Sequence, residues 1–311
     1  MSELQQIPLQ KISVIGGGLM GAGIAQVFAS AGYSVIVFEP DDEARASLHE
    51  RVSQNLMLMG LDVSIVERIE LSNHFEDAVA SADYVTEAAP EKLELKRSIF
   101  ADLERVAPAD AILASNTSVI PISQISEGLA TAHRMIGTHW WNPPYLVPLV
   151  EVIQGQHTDA ATVQHTMALL SVVGNEPAHI KKERPGFVAN RLQHALWREA
   201  IAMVAEGICD AATVDYCVKN SFGMRLAALG PLENADMVGL DLTLDIHKTI
   251  IPELDRSAGP HPVLDEYIAT GRLGFKSGEG FQKWTKQDIE ELRKTLSDHL
   301  VAANQHRELE S

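Results

Sequence analysis

Cysteine and positive charge are scarce in this chain, and long apolar runs are missing. Two cysteines among 311 residues, Cys209 and Cys217, sit eight positions apart in a helical pattern. That spacing suits no disulfide, so the chain reads as a cytoplasmic protein with reduced thiols rather than a stapled secreted domain. Lys and Arg number 25 against 42 Asp and Glu, a net charge of −17, with pI ≈ 5.1. Such a balance argues against nucleic acid and anionic membrane surfaces as partners. No apolar run reaches the roughly 18–20 residues that cross a bilayer, and the opening MSELQQIPLQ has neither a basic nor an apolar leader region. Repeats and low-complexity segments are likewise absent.

What is present is concentrated near the start. Lys11–Pro40, KISVIGGGLMGAGIAQVFASAGYSVIVFEP, reads as strand, glycine turn, helix, strand and acid. Gly16, Gly18, Leu19, Met20 and Gly21 fall in a G-x-G-x-x-G turn. Gly16 permits the tight bend, Gly18 lets backbone N–H groups approach a pyrophosphate, and Gly21 lets the helix lie close on the sheet. The helix N-terminus then faces the phosphates. Glu39 is placed to accept hydrogen bonds from ribose hydroxyls and would repel a 2′-phosphate, so the expected cofactor is NAD rather than NADP. A bare glycine pattern is weak evidence; here the strand, helix and acid that its mechanism requires accompany it.

The length suggests two domains, because single cores seldom grow beyond roughly 250–300 residues. Apolar runs at Tyr84–Ala89, Ala111–Ser115, Met135–Trp141 and Leu149–Ile153 recur between helical segments. The pattern predicts a Rossmann α/β domain, a doubly wound and mostly parallel sheet, over residues 1–185. Pro185-Gly186 punctuates the chain, and the segments after it are helical: Phe187–Glu206, Ala211–Phe222 with Asp210 as N-cap, Leu232–Ile251, Pro262–Thr270 and a final amphipathic helix after Trp284. Residues 186–311 are therefore expected to form a smaller all-helical domain that carries substrate contacts and joins two copies as a homodimer.

In doubly wound folds chemistry gathers beyond the carboxyl ends of strands. Four polar residues stand there or nearby: Ser118 in SNTS, His139 in THWWNPP, Glu151 in PLVEVI and Asn190 in PGFVANR. A chain reversing through Asn142-Pro143-Pro144 would bring His139 and Glu151 face to face. An imidazole held by a buried carboxylate has a fixed tautomer and suits general-base work. Each residue also has a plainer reading: a structural strand-end histidine, a helix cap at Ser118, a junction hydrogen bond at Asn190. Glu151 is harder to explain away, since a charge inside an apolar run needs a partner.

Taken together, VIGGGLMGAGIA, PEKLELKR, SNTSVIPI, HWWNPP…LVEVI, ERPGFVANR and GFKSGEGF resemble, in order, the patterns of the 3-hydroxyacyl-CoA dehydrogenase superfamily, from about Lys11 to Trp284. The resemblance implies a catalytic set of Ser118, His139, Glu151 and Asn190. It also implies that Glu91, Lys96, Asn142 and Lys276, with Ser118, line the nicotinamide half of the cofactor site. No metal is implied. The expected reaction is oxidation of a secondary 3-hydroxyl, with His139 as base and the hydride going to NAD.

One departure bears on substrate. Where acyl-CoA enzymes carry lysines and a hydroxyl for the nucleotide end of CoA, this chain has Val52–Glu67, VSQNLMLMGLDVSIVE, with no Lys or Arg. The NPPYLVPLVEV run is more similar to branches acting on small hydroxy acids: L-carnitine dehydrogenases, L-gulonate dehydrogenases with lens λ-crystallin, and pyridine-carboxylate dehydrogenases. In this reading Arg225, and more weakly Arg198, bind a free carboxylate, and Trp141 walls the substrate. A surface salt bridge would equally explain Arg225, a solvated helix face Arg198, and core or dimer-interface packing the tryptophan. The alternatives are a CoA-thioester dehydrogenase and a crystallin-like NAD-binding protein without turnover.

Overall fold

The computed structural model describes residues 11–310; the MSELQQIPLQ segment and Ser311 lie outside the described residues. Eight strands form a single sheet: β1 (Lys11–Ile15), β2 (Ser34–Phe38), β3 (Ile69–Ser72), β4 (Tyr84–Glu87), β5 (Ile112–Ser115), β6 (Met135–Trp140), β7 (Leu149–Ile153) and β8 (Glu176–Ile180). Their order is β3-β2-β1-β4-β5-β6-β7-β8. Every neighbouring pair is parallel except β6–β7, which runs antiparallel and sets His139 directly opposite Glu151. The long apolar runs became the inner strands. The two strands the sequence reading passed over, β3 (IELS) and β8 (EPAHI), are the edges. Edge strands bury little, so short, charged or proline-bearing segments can serve there.

Seven helices accompany the sheet: α1 (Leu19–Ser30), α2 (Asp42–Ala46), α3 (Leu48–Met59), α4 (Phe75–Val79), α5 (Leu93–Val106), α6 (Ile122–Ile125) and α7 (Ala160–Val172). Side chains alternate across the pleat, so each strand serves two cores. Ile12, Val14, Tyr84, Ile136 and Val150 pack with Phe28 of α1 and Leu169 of α7. Ile15, Val85, Leu113 and Ile153 pack on the other face with Phe100 of α5 and Ile125 of α6. Between β2 and β3 the chain breaks at Ser47 into α2 and α3 rather than running as one helix. The Ala44 carbonyl, which a continuous helix would use, is taken by the Ser47 hydroxyl at 3.1 Å and by Arg51 at 3.0 Å.

The remaining helices are α8 (Ala189–Ala205), α9 (Ala211–Lys219), α10 (Pro231–Val238), α11 (Leu240–Ile250), α12 (Pro262–Ala269) and α13 (Lys286–Glu310). Asp210 caps α9 as expected, accepting from the Thr213 N–H at 2.8 Å. The helix read over Leu232–Ile251 is two helices, divided by Gly239 at φ +100. Contacts divide the chain into two compact units. One holds the described residues up to Asn190 together with those from Leu300; the other is Arg191–His299. The boundary thus lies just past the Pro185-Gly186 break read from the sequence. Hydrogen bonds from Val188, Ala189 and Asn190 tie that stretch to the sheet unit, and Asn304 of α13 donates to the Leu146 carbonyl.

Candidate active site

The glycine turn follows β1. Gly16 has φ +105, and a Cβ on Gly21 would stand 1.8 Å from the Gly16 carbonyl oxygen. Only glycine therefore lets α1 start this close to the strand. Nothing caps that helix: Gly18 brings no side-chain acceptor, the first turn holds no acid, and the space beside Gly18 is open. Its N–H groups are left for an anion, which fits a dinucleotide pyrophosphate. Leu19 is exposed and Met20 half-buried at the rim. Glu39, at the end of β2, turns its carboxylate onto the turn, accepting from Gly17 N–H at 2.7 Å and Asp41 N–H at 3.0 Å.

A second cluster lies under the loop after β5. The Lys96 ammonium is 0% exposed and bonds both oxygens of Glu87, at 2.7 and 3.0 Å. It also reaches Glu91 at 3.3 Å. Glu87 further accepts from the Ser115 hydroxyl at 2.6 Å and the Ala89 N–H at 2.7 Å. Glu91 accepts from the Thr117 hydroxyl and from the N–H groups of Ser118 and Val119. Burial alone would raise the Glu91 pKa; the Thr117 hydrogen bond, the Lys96 charge and the two N–H groups outweigh it and hold the carboxyl below its usual range. Lys96 and Glu91, expected as cofactor contacts, thus brace the Ser118 loop from below. Ser115 and Thr117 lie in the strand-end SNTS segment, whereas Glu87 was missed by the sequence reading. The signal was there for Glu87, an acid inside an apolar run, the same mark that singled out Glu151.

His139 and Glu151 face each other across β6 and β7 at 2.8 Å, Nδ1 to Oε2, with 4% and 1% of their surfaces exposed. The other oxygen of Glu151 accepts from the N–H groups of Val188 at 2.9 Å and Ala189 at 3.1 Å. Burial would raise the pKa of this carboxyl, and the His139 hydrogen bond with the two backbone donors reverses that, holding it below the ordinary value. An ionised Glu151 requires the Nδ1 proton as its donor, which leaves the Nε2 lone pair free to accept. The rings of Trp141 and Phe187 stand 5.4 and 5.7 Å from the imidazole. Asn190 donates to the Ser118 carbonyl at 3.3 Å. The first unit therefore brings together Ser118, His139, Glu151 and Asn190 in one chain of contacts, running on through Glu91 and Lys96 to Glu87.

Other expected site residues are placed separately. Asn142 is exposed just after Trp141 and precedes a cis peptide bond to Pro143. Lys276 is exposed in the second unit, within a turn closed by the Gly274–Glu279 bridge. Arg198 pairs with Asp255 at 3.4 Å. Arg225 is exposed, and no side-chain partner is found for its guanidinium among the described residues. Among the described residues no group of three or more His, Cys, Asp or Glu is arranged to hold a metal, and no helix is long and apolar enough to cross a membrane.

A glycine turn opening α1 after β1, an acid just past β2 and an imidazole–carboxylate pair on neighbouring strands are the features of a nicotinamide-dependent oxidoreductase. The chain belongs to the 3-hydroxyacyl-CoA dehydrogenase family: the NAD-binding domain matches residues 11–184 and the C-terminal domain residues 186–284. It is 32% identical to the 5-formyl-3-hydroxy-2-methylpyridine 4-carboxylate 5-dehydrogenase of Mesorhizobium japonicum, over 94% of this chain and 97% of that one. It is 35% identical to the L-carnitine dehydrogenase of Streptomyces griseus, over 80% and 79% of the two chains. Among solved structures, a 5-formyl-3-hydroxy-2-methylpyridine 4-carboxylic acid 5-dehydrogenase, an NAD+-dependent dismutase, superposes with TM-score 0.89 at 31% identity, covering 96% of this chain and 99% of that one. The (S)-3-hydroxybutyryl-CoA dehydrogenase of Ralstonia eutropha gives 0.72 at 31%, covering 89% and 100%. The protein is an NAD-dependent dehydrogenase acting on CH–OH donors.

Proposed function

We propose that the substrate is a small free hydroxy acid, oxidised at its secondary 3-hydroxyl, rather than a CoA thioester. The observation that carries this reading is the absence of Lys and Arg from Val52–Glu67, the greater part of α3 and the turn after it. The arginines flanking that stretch are occupied: Arg51 bonds the Gly17 and Ala44 carbonyls, Arg68 the Ala29 carbonyl. Met57, Leu58, Leu61 and Val63 are exposed there instead, a surface poorly suited to a multiply anionic nucleotide. The higher TM-score to the pyridine-carboxylate enzyme, at the same identity as the CoA enzyme, supports the same choice. Arg225, with its guanidinium free, is the residue we assign to the substrate carboxylate.

In this reading His139 Nε2 takes the hydroxyl proton, and Glu151 stabilises the imidazolium that results. Ser118 and Asn190 hold the substrate oxygens and orient the carbinol carbon. NAD, when bound, supplies the acceptor for the hydride. Spectrophotometric NAD reduction with 3-hydroxybutyrate, gulonate, carnitine and 3-hydroxybutyryl-CoA tests the assignment. A free acid should give the highest kcat/KM; a thioester ahead by several orders of magnitude would overturn it.

We also assign a homodimer, formed through the helical unit. Ala202 and Val214 are its only buried apolar side chains, whereas Leu232, Met237 and Leu240 on α10 and α11 are more than half exposed, as are Ile208 and Tyr216 nearby. That much uncovered apolar surface is unusual for a monomer. Sedimentation equilibrium should return twice the chain mass. The unbridged Cys209 and Cys217 fit a reducing cytoplasm.

A further inference from the structure

Phe187 has φ +47, and among the described residues no other non-glycine has a positive φ. A bulky side chain in that region is strained, and glycine would relieve it. The preceding Gly186, at φ +77, shows that the turn already uses glycine where it can. Strain kept in place points to a task. The ring is 2% exposed and lies 5.7 Å from the His139 imidazole. The three residues that follow bond two members of the same cluster. Val188 and Ala189 give their N–H groups to Glu151, and Asn190 gives its amide to the Ser118 carbonyl. The turn itself is closed by the Phe187 N–H on the Arg184 carbonyl at 2.9 Å.

We propose that Phe187 is a positioning residue for the His139–Glu151 pair. Its left-handed backbone aims two N–H groups at the Glu151 oxygen that His139 does not use, and its ring braces the imidazole. A glycine would allow the bend without the brace. An alanine would keep the strain and lose the burial that offsets it, so the turn would relax and release the carboxylate. With Glu151 free to rotate, the imidazole would no longer be held to the tautomer that leaves Nε2 bare. Phe187 touches neither reacting atoms nor cofactor in this scheme; it acts through Glu151, His139 and the placement of Asn190. The catalytic consequence rests on His139 being the base, as proposed above.

The test is the long-range ¹H–¹⁵N spectrum of histidine rings in the labelled full-length protein with NADH bound, the His139 signals being those missing from His139→Gln. The parent should show His139 as a single Nδ1–H tautomer. Phe187→Ala should show an averaged pair of tautomers, and its turnover on the best free hydroxy acid should fall about 10²-fold. Its NADH affinity should stay within about twofold, which also reports that the fold survives. Phe187→Tyr should keep the parent spectrum and most of the rate, and Phe187→Leu, which fills the space without a ring, should lie between. A parent-like His139 spectrum in both Phe187→Ala and Phe187→Leu would overturn the proposal. The spectra need no substrate. An averaged His139 signal, in a protein whose parent oxidises no hydroxy acid, would uphold the positioning role and remove only the reaction assigned to the site.

Discussion

Replacing His139 by alanine should lower kcat by about 10³-fold or more while leaving the NADH dissociation constant within about twofold. The size follows from what is lost. The site offers one accepting nitrogen for the hydroxyl proton, Nε2 of His139, because Nδ1 is committed to Glu151 at 2.8 Å. No second base is apparent in the contact chain around it: Glu91 and Glu87 are both engaged by hydroxyl and N–H donors and by Lys96. In the reading proposed above NADH is held by other parts, the turn after β1 and Glu39 just past β2, which His139 does not contact. The fold should tolerate the change, since Glu151 keeps the N–H groups of Val188 and Ala189. Stopped-flow turnover and NADH fluorescence titration check the two halves separately. An equal loss in both would mean that His139 supports the structure rather than the proton transfer.

Lys96→Met should destabilise the protein by about 3–5 kcal/mol, the usual cost of leaving one half of a buried ion pair behind. Glu87 would keep only the Ser115 hydroxyl and the Ala89 N–H as partners in a place closed to water. Glu91 would lose its cation too, and with it part of the hold on the Thr117–Val119 loop, so kcat should fall along with stability. Glu87→Gln combined with Lys96→Met should recover most of the stability, because the pair's attraction largely repays the desolvation of its two charges. Urea unfolding of the three variants measures this. A loss below about 1 kcal/mol in Lys96→Met would show that the pair is solvated in solution and contributes like a surface bridge.

The parts of this molecule that could be read in advance are those whose cause is local. The glycine turn, the inner strands and the Asp210 cap each follow from a few neighbouring residues. The His139–Glu151 pair was legible for the same reason, since one short reversal separates the partners. Edge strands β3 and β8 were not, because an edge needs no apolar pattern to hold its place. The division at Ser47 depended on Arg51 reaching across to carbonyls of Gly17 and Ala44, a tertiary event. Lys96 came only through the family resemblance of PEKLELKR, and its burial against Glu87 cannot be seen in that string. The Pro185-Gly186 signal was taken only as a break between domains. That the next residue would be a left-handed phenylalanine beside the base is a property of the packed turn, invisible in the string.

The reversal between β6 and β7 makes the pairing across it a local event. His139 and Glu151 sit on one hairpin, residues 135–153, so their meeting needs no distant segment to arrive first and costs little closure entropy. The two side chains therefore find each other within one short stretch of chain.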